Sequence, residues 1–275
     1  MVSLIWPPAS SFDCILTNLL RTDKSYLVPL PVQISPCPIV DVTAELRFDA
    51  AVPPAVAIGL GYERLLREFP RVSTLQTIPL SDELRKLTPA LMYQPQYRFE
   101  SDDFVALLGP NMFAVGVNGA YTRWAVVSKA FRAAFDLFKE THIIGVPQRF
   151  GLKYMNFFHG NVLSRLNIML GVADTEISGE ATLIQTVVLS LPFKIQVQLF
   201  TDANIASSKL PIDPNVRGTL LSLDCFKDQD AVKTDFLENL SENLELAHTK
   251  EKQLFFRLLK DELLRELYPK YENEN

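Results

Sequence analysis

Two stretches of strict alternation between apolar and polar residues constrain this chain more than any other feature of its sequence. They cover residues 42–48 and 193–199. Because successive side chains of a β-strand point to opposite faces, each stretch predicts a strand with one face in the core and the other in water. We therefore expect a β-sheet with one solvent-exposed face.

Turn residues and helical spacing position the other elements around these two strands. Further strands are predicted where short β-prone runs lie between turn residues, at 92–99, 104–108, 112–117, 148–158, 166–171, 181–190 and 219–226. Helices are predicted where apolar residues recur at three- and four-residue steps, at 53–69, 122–141 and 230–267. The last of these is expected to be one long helix or a bent pair.

The order of the elements predicts an α+β fold made of two units. Each unit, 37–145 and 146–275, runs from a strand through a mainly antiparallel meander to a C-terminal amphipathic helix. The repeated order suggests a pseudo-duplication whose two sheets pack together or join, although no residue-level repeat accompanies it.

The first 36 residues differ from the rest because proline is frequent there, and each proline fixes φ and removes an amide donor. We predict a proline-rich N-terminal arm with little regular structure. Its apolar side chains are unfavourable in water, so the arm is expected to lie along the body of the protein or to bind a partner. The candidate partner-binding residues are Phe12, Ile15, Leu16, Leu19 and Leu20.

Composition indicates a folded protein with no general attraction to nucleic acid or membranes. Apolar residues make up 48% of the chain and charged residues 21%, as in ordinary globular proteins. A net charge of -5 and a pI near 5.3 provide no positive field, so neither nucleic acid nor an anionic membrane is expected as a partner. Cys14, Cys37 and Cys225 are too scattered for a disulfide framework, which favours a reducing, cytoplasmic location. No apolar run approaches the roughly 18 residues that span a bilayer.

Motifs of the common catalytic and metal sites are missing from the sequence. His142, His159 and His248 share no spacing typical of metal ligands. No phosphate-binding glycine loop follows a predicted strand, and no nucleophile motif of the G-x-S-x-G kind occurs. We therefore predict no catalytic residue, metal or cofactor, and expect that the protein is not an enzyme.

Basic and aromatic residues on the predicted strands form the candidate ligand site. Arginine binds phosphate and carboxylate groups through two parallel hydrogen bonds, so these side chains suit an anion or a partner protein. The residues are Arg47, Arg98, Arg149, Lys153 and Tyr154. The favoured interpretation is structural, with arginines paired across strands to Glu45 and tyrosine hydroxyls capping the sheet edge. Stacking of single-stranded nucleic acid on the strand tyrosines is disfavoured by the acidic charge balance.

The chain also carries a series of short motifs in a fixed order. They are Pro38-Ile39-Val40-Asp41-Val42, Glu45-Leu46-Arg47-Phe48, Tyr93-Gln94-Pro95, Tyr97-Arg98, Gly109-Pro110-Asn111, Tyr121 with Trp124, Arg149 with Gly151-Leu152, Tyr154, Asn156 and Phe157, and Ala247-His248 with Leu254-Phe255-Phe256. Through these motifs, residues 36–271 resemble a sporadically distributed prokaryotic family of uncharacterised α+β proteins of similar length. The resemblance implies an accessory protein of mobile or defence-related loci, without established catalytic residues.

Two functions from different classes follow from these observations. The first is a non-enzymatic protein-binding or regulatory accessory protein of a prokaryotic defence-type system, such as a CRISPR-associated or toxin-antitoxin locus. The alternative is an enzyme or receptor for a small phosphorylated or nucleotide ligand, bound by the strand arginines.

Overall fold

A computed structural model describes residues 29–75, 89–169, 171–172, 175–176, 181–205, 216–228, 232 and 234–272. The strands are β1 (Ile39–Ala50), β2 (Arg71–Thr74), β3 (Tyr97–Glu100), β4 (Phe104–Gly109), β5 (Met112–Val117), β6 (Ile144–His159), β7 (Gly171–Val172), β8 (Thr175–Glu176), β9 (Leu183–Ser190), β10 (Phe193–Asn204) and β11 (Arg217–Asp228). The helices are α1 (Pro54–Leu66), α2 (Pro89–Met92), α3 (Trp124–Lys139), α4 (Leu240–Leu258) and α5 (Asp261–Glu266).

Nine of these strands form a single antiparallel sheet in the order β2-β3-β4-β5-β1-β6-β11-β10-β9. The two long strands β1 and β6 pair with each other at its centre, with Val42 opposite Tyr154. The α+β prediction is confirmed, but the prediction of two sheet units is corrected to one continuous sheet. The reason is that β1, the first strand of the first half, pairs with β6, the first strand of the second half. The backbone hydrogen bonds of β1 and β6 are therefore completed across the boundary between the halves.

The sheet is covered by helices on one face. On β1, Val42, Leu46 and Phe48 are fully buried, whereas the side chains between them are partly exposed on the opposite face. Phe113 and Phe150 lie opposite Leu46 in the neighbouring strands and contact aromatic residues of the helical layer. The alternation at 42–48 therefore predicted the buried face of β1 correctly. We call the other face, which carries Thr43, Glu45 and Arg47, the open face.

The aromatic stripe of helix α3 packs against the buried face of the sheet. Phe113 of β5 stacks on Phe138 of α3 with ring centroids 4.2 Å apart and planes 6° apart. Helix α1 packs close to the same ring, because a Cβ at Gly61 would lie 2.9 Å from Leu108 and 3.4 Å from Phe138. The predicted aromatic stripe of α3 is thus core, and α1 and α3 cover the first half of the sheet together.

Two element predictions are wrong in detail. Residues 166–171 were expected to form a strand, but a 3-10 helix at Leu163–Arg165 precedes a single bridge from Leu166 to Leu259. The run 92–99 begins with the end of helix α2, and its strand starts only at Tyr97. The run 166–171 is short and mainly apolar, and such a run does not distinguish strand from helix or loop without knowledge of its neighbours. In the run 92–99, Pro95 lacks an amide donor and the strand begins only after it.

The terminal helical segment is a bent pair, which was one of the two forms expected. Helix α4 ends at Leu258, and Leu259 takes an extended conformation before α5 begins. The side-chain amide of Asn167 donates hydrogen bonds to the carbonyls of Arg257 and Leu259, at 2.9 and 3.2 Å. These bonds satisfy carbonyls at the end of α4 that lack a helical partner, so the bend is stabilised by a residue distant in sequence.

The predicted N-terminal arm enters the structure only at its end. The backbone amides of Val32 and Ser35 donate to the carbonyls of Lys270 and Leu267, at 2.7 and 2.6 Å, so residues 29–36 lie along the C-terminal segment. Phe12, Ile15, Leu16, Leu19 and Leu20 lie outside the described residues. Among the described helices, none is both long enough and apolar enough to cross a membrane.

Candidate functional site

An arginine at the centre of the open face is held between two carboxylates from neighbouring strands. Arg149 of β6 lies 3.3 Å from Glu45 of β1 through Nη1 and 2.8 Å from Asp224 of β11 through Nη2. The exposed fractions of these side chains are only 16%, 23% and 21%, so the charges are largely shielded from water. The ring of Phe226 lies 4.5 Å from the guanidinium carbon and packs against its plane. We call Glu45, Arg149 and Asp224 the central ion triad.

The triad depends on a glycine beside it. Gly151 lies directly between Glu45 and Phe226 in the sheet register. A Cβ at this position would come within 2.6 Å of Arg149 Nη1 and 2.8 Å of Asp224 Oδ1. The missing side chain therefore leaves room for the guanidinium group to lie across the strand and reach Asp224.

A shallow cavity of about 150 Å³ surrounds the triad. Its lining residues are Thr43, Glu45, Arg47, Arg149, Gly151, Lys153 and Asp224. Lys153 is the neighbour of both Thr43 and Asp224 in the register, and no ion pair joins its ammonium group to a described residue. The volume is below the ~300–1,000 Å³ of typical ligand pockets, so the site accommodates a side chain or a small anion more readily than a nucleotide.

The five predicted ligand residues are divided by the structure. Arg47, Arg149 and Lys153 meet at the cavity. Arg47 bonds Glu45 at 2.6 Å and lies over the ring of Tyr93. Arg98 of β3 pairs instead with Glu100 at 2.6 Å and does not line the cavity.

Tyr154, the fifth predicted residue, faces the helical layer on the opposite side of the sheet. Its hydroxyl lies 2.8 Å from Nδ1 of His248 on α4. The His248 ring is stacked 4.1 Å from Trp124 of α3, with planes 15° apart, and the Trp124 indole N–H donates to Glu245 at 2.7 Å. Tyr121 meets the Tyr154 ring edge-on at 6.2 Å. We call Tyr121, Trp124, Tyr154 and His248 the aromatic cluster.

Sequence reasoning did not find the aromatic cluster as a group, because its members come from distant segments. A signal was present, since all four residues belong to the short motifs that the sequence analysis singled out. The motifs give their order along the chain but not their proximity, which arises because Trp124 of α3 and His248 of α4 both contact Tyr154 of β6.

Burial keeps the ionisable groups near the aromatic cluster neutral. Desolvation lowers the pKa of His248 to about 3 and raises the pKa of the buried Glu251, one turn further along α4, to about 8. The pKa values of Tyr154 and Cys225 are also raised by burial. At neutral pH these groups are therefore mostly uncharged, and they provide polar packing between helix and sheet.

The described residues include no group of three or more His, Cys, Asp or Glu side chains arranged to hold a metal ion. Within the same part of the chain, Cys37 and Cys225 are both free thiols. A scan against protein-family models and a search of curated proteins found no match to this chain. The candidate site is therefore defined by its geometry.

Proposed function

We propose that this protein is a non-enzymatic binding protein whose open sheet face contacts a protein partner. The observation that carries the proposal is the central ion triad, a set of ordered and paired charges at the middle of a face that α1, α3 and α4 leave uncovered. Charges that are already paired lose less solvation when a partner covers them than isolated charges do. A rigid, mixed-sign surface of this kind favours specific protein recognition.

The state of the candidate acid and base groups supports binding rather than catalysis. Arg149 is committed to two carboxylates, and Arg47 is committed to Glu45. His248, with its lowered pKa, lies in the core behind the sheet and not at the cavity. A general acid or base has to reach the reacting group and titrate near the working pH, and His248 meets neither condition.

The biological setting remains part of the proposal. The resemblance over residues 36–271 favours a prokaryotic defence-type locus, CRISPR-associated or toxin-antitoxin-like. The scattered cysteines favour the cytoplasm. The partner is then expected among the products of neighbouring genes.

Co-expression with the flanking genes tests the proposal through two lysine variants on opposite faces. Lys153→Glu reverses the charge beside the triad, whereas Lys129→Glu makes the same change on the exposed surface of α3. We expect Lys153→Glu to reduce partner recovery at least ~10-fold, because reversing a charge at the centre of a contact face costs about 1.4 kcal/mol or more of binding free energy. Lys129→Glu should leave recovery unchanged. Equal recovery with both variants, each shown to be folded by circular dichroism, would exclude the open face as the contact surface.

A small anionic ligand is the second candidate, because Arg47, Arg149 and Lys153 converge on the same cavity. The counter-argument is that Glu45 and Asp224 neutralise both arginines. Isothermal titration with inorganic phosphate and with AMP separates the two functions. Saturable binding that Lys153→Ala abolishes would favour the receptor function, and no heat with either compound would favour the protein partner.

A further inference from the structure

Strand β9 forms one outer edge of the nine-stranded sheet. It pairs with β10 on its inner side, and no described strand pairs with its outer side. An edge strand presents a row of free N–H and C=O groups that can pair with another strand. Over its eight residues β9 contains neither a charged residue nor a proline. Its apolar side chains are also exposed, to 75% at Leu183, 50% at Val187 and 72% at Leu189.

The opposite edge of the sheet is protected in the ways that β9 is not. Strand β2 has only four residues, and it carries Arg71. The guanidinium group of Arg71 bonds Asp102 at 2.8 Å and also contacts the carbonyl of Ser101. Short length and charge are the usual means by which edge strands avoid pairing with other chains. The two edges of one sheet thus differ, and only β9 is suited to pairing.

We propose that β9 pairs antiparallel with β9 of a second copy of this chain, around a two-fold axis at Thr186. Residues directly opposite each other in an antiparallel pair lie on the same face. In this register Leu183 meets Leu189 of the second copy, Ile184 meets Val188, and Thr186 meets its own equivalent. The strand is thus apolar two and three residues away from Thr186 on both sides, and Gln185 meets Val187 in the pair between them.

The lack of charge in β9 allows a second copy to pair at this edge. When a strand pairs with itself around a two-fold axis, any charge near the centre meets a like charge, which is destabilising. Strand β9 has no charge to meet. Threonine pairs and aliphatic pairs across strands are favourable, so this register places suitable partners opposite each other along most of the strand. The two open faces would then lie on the same side of one continuous sheet.

Light scattering coupled to size-exclusion chromatography measures the association directly on the full chain. A monomer has a mass of 31.0 kDa, and we expect wild-type protein to elute at twice that mass at micromolar concentrations. Thr186→Arg should elute at the monomer mass, because the axis brings two arginines together. Thr74→Arg on β2 makes the same change at the other edge and should leave the dimer intact.

Charge complementation distinguishes a broken interface from a misfolded variant. Thr186→Glu alone should also be monomeric, and an equimolar mixture with Thr186→Arg should recover the dimer mass. A wild-type monomer at every concentration, a dimeric Thr186→Arg variant, or a mixture that stays monomeric would each overturn the proposal. Loss of a different protein partner in the Thr186→Arg variant, with the wild type monomeric, would assign the edge to that partner instead.

Discussion

At the scale of single residues, the central ion triad combines long-range contacts that no local pattern encodes. Arg149 reaches Glu45 on one neighbouring strand and Asp224 on the other, across the space that Gly151 leaves open. The sequence singled out Arg149 and Glu45 as candidates, but Asp224 and the role of Gly151 were not predicted. They depend on β11 pairing with β6, which joins residues about seventy positions apart.

Removing the arginine from this triad is expected to destabilise the protein. Arg149→Ala leaves the shielded carboxylate of Asp224 without its ion-pair partner and leaves Glu45 with Arg47 alone, so we expect a loss of about 2–4 kcal/mol in the free energy of unfolding. Arg47→Ala is the matched control, because its side chain is 35% exposed and pairs with Glu45 alone. It should cost about 1 kcal/mol or less. Urea denaturation of both variants measures the difference, and equal losses would contradict a structural role for the triad.

The raised pKa of buried Glu251 makes the free energy of unfolding depend on pH. Its pKa is about 8 in the folded protein against an ordinary value of 4.5, so the folded state keeps a proton that the unfolded chain loses within that interval. The free energy of unfolding should therefore fall as pH rises through the interval. His248 acts in the opposite direction, mainly below its ordinary pKa of 6.5, and its contribution is small between pH 6.5 and 8.

The variant Glu251→Gln removes this titration without removing the polar side chain. Between pH 6.5 and 8 we expect wild-type protein to lose about 1–2 kcal/mol more than the variant in urea denaturation. Glu242→Gln, on the exposed side of the same helix, should follow the wild type. Parallel curves for wild type and Glu251→Gln would show that the carboxyl group is ionised in the folded state.

At the scale of elements, local periodicity identified most strands and helices of the sheet and its cover. The helix predicted at 122–141 is α3, and the strand predicted at 193–199 is the first part of β10. These predictions succeeded because one face of each element is buried, so the spacing of apolar residues reports the element type. The run 166–171 failed because its conformation depends on Leu259, a residue far along the chain.

The packing of α3 on β5 should respond to a single truncation. Phe138→Ala removes a ring that is fully buried and stacked on Phe113, so we expect a loss of about 3–5 kcal/mol in the free energy of unfolding. Val126→Ala on the same helix is the control, since Val126 is 53% exposed and should change stability by less than about 0.5 kcal/mol. Thermal or urea unfolding compares them. A small effect of Phe138→Ala would mean that the core relaxes around the cavity.

At the scale of the whole molecule, the joined sheet makes the two halves dependent on each other. Each half separately leaves a long strand, β1 or β6, without one of its two neighbours. Such an unpaired strand is a template for aggregation. The pseudo-duplication expected from the order of elements stays a prediction, whereas the sheet itself is continuous.

Expression of the halves tests this dependence. We expect the fragments 37–145 and 146–275 to be insoluble or unfolded when produced separately, and to form a soluble complex when co-expressed, because pairing of β1 with β6 then completes both. Soluble yield and circular dichroism provide the measurement. A fragment 37–145 that unfolds cooperatively without the other half would show that it is an independent domain.

The sequence by itself determined the buried faces of β1, β10 and α3, because burial on one face leaves a periodic trace in the chain. It also brought Arg47, Arg149 and Lys153 forward as candidates from their residue type and strand position. Only the tertiary structure decided that the halves share one sheet, that Tyr154 lies behind it with His248, and that Asp224 completes the central ion triad. Strand order and helix packing are contacts between distant segments, and the residues that make them carry no mark of their partners in the local sequence.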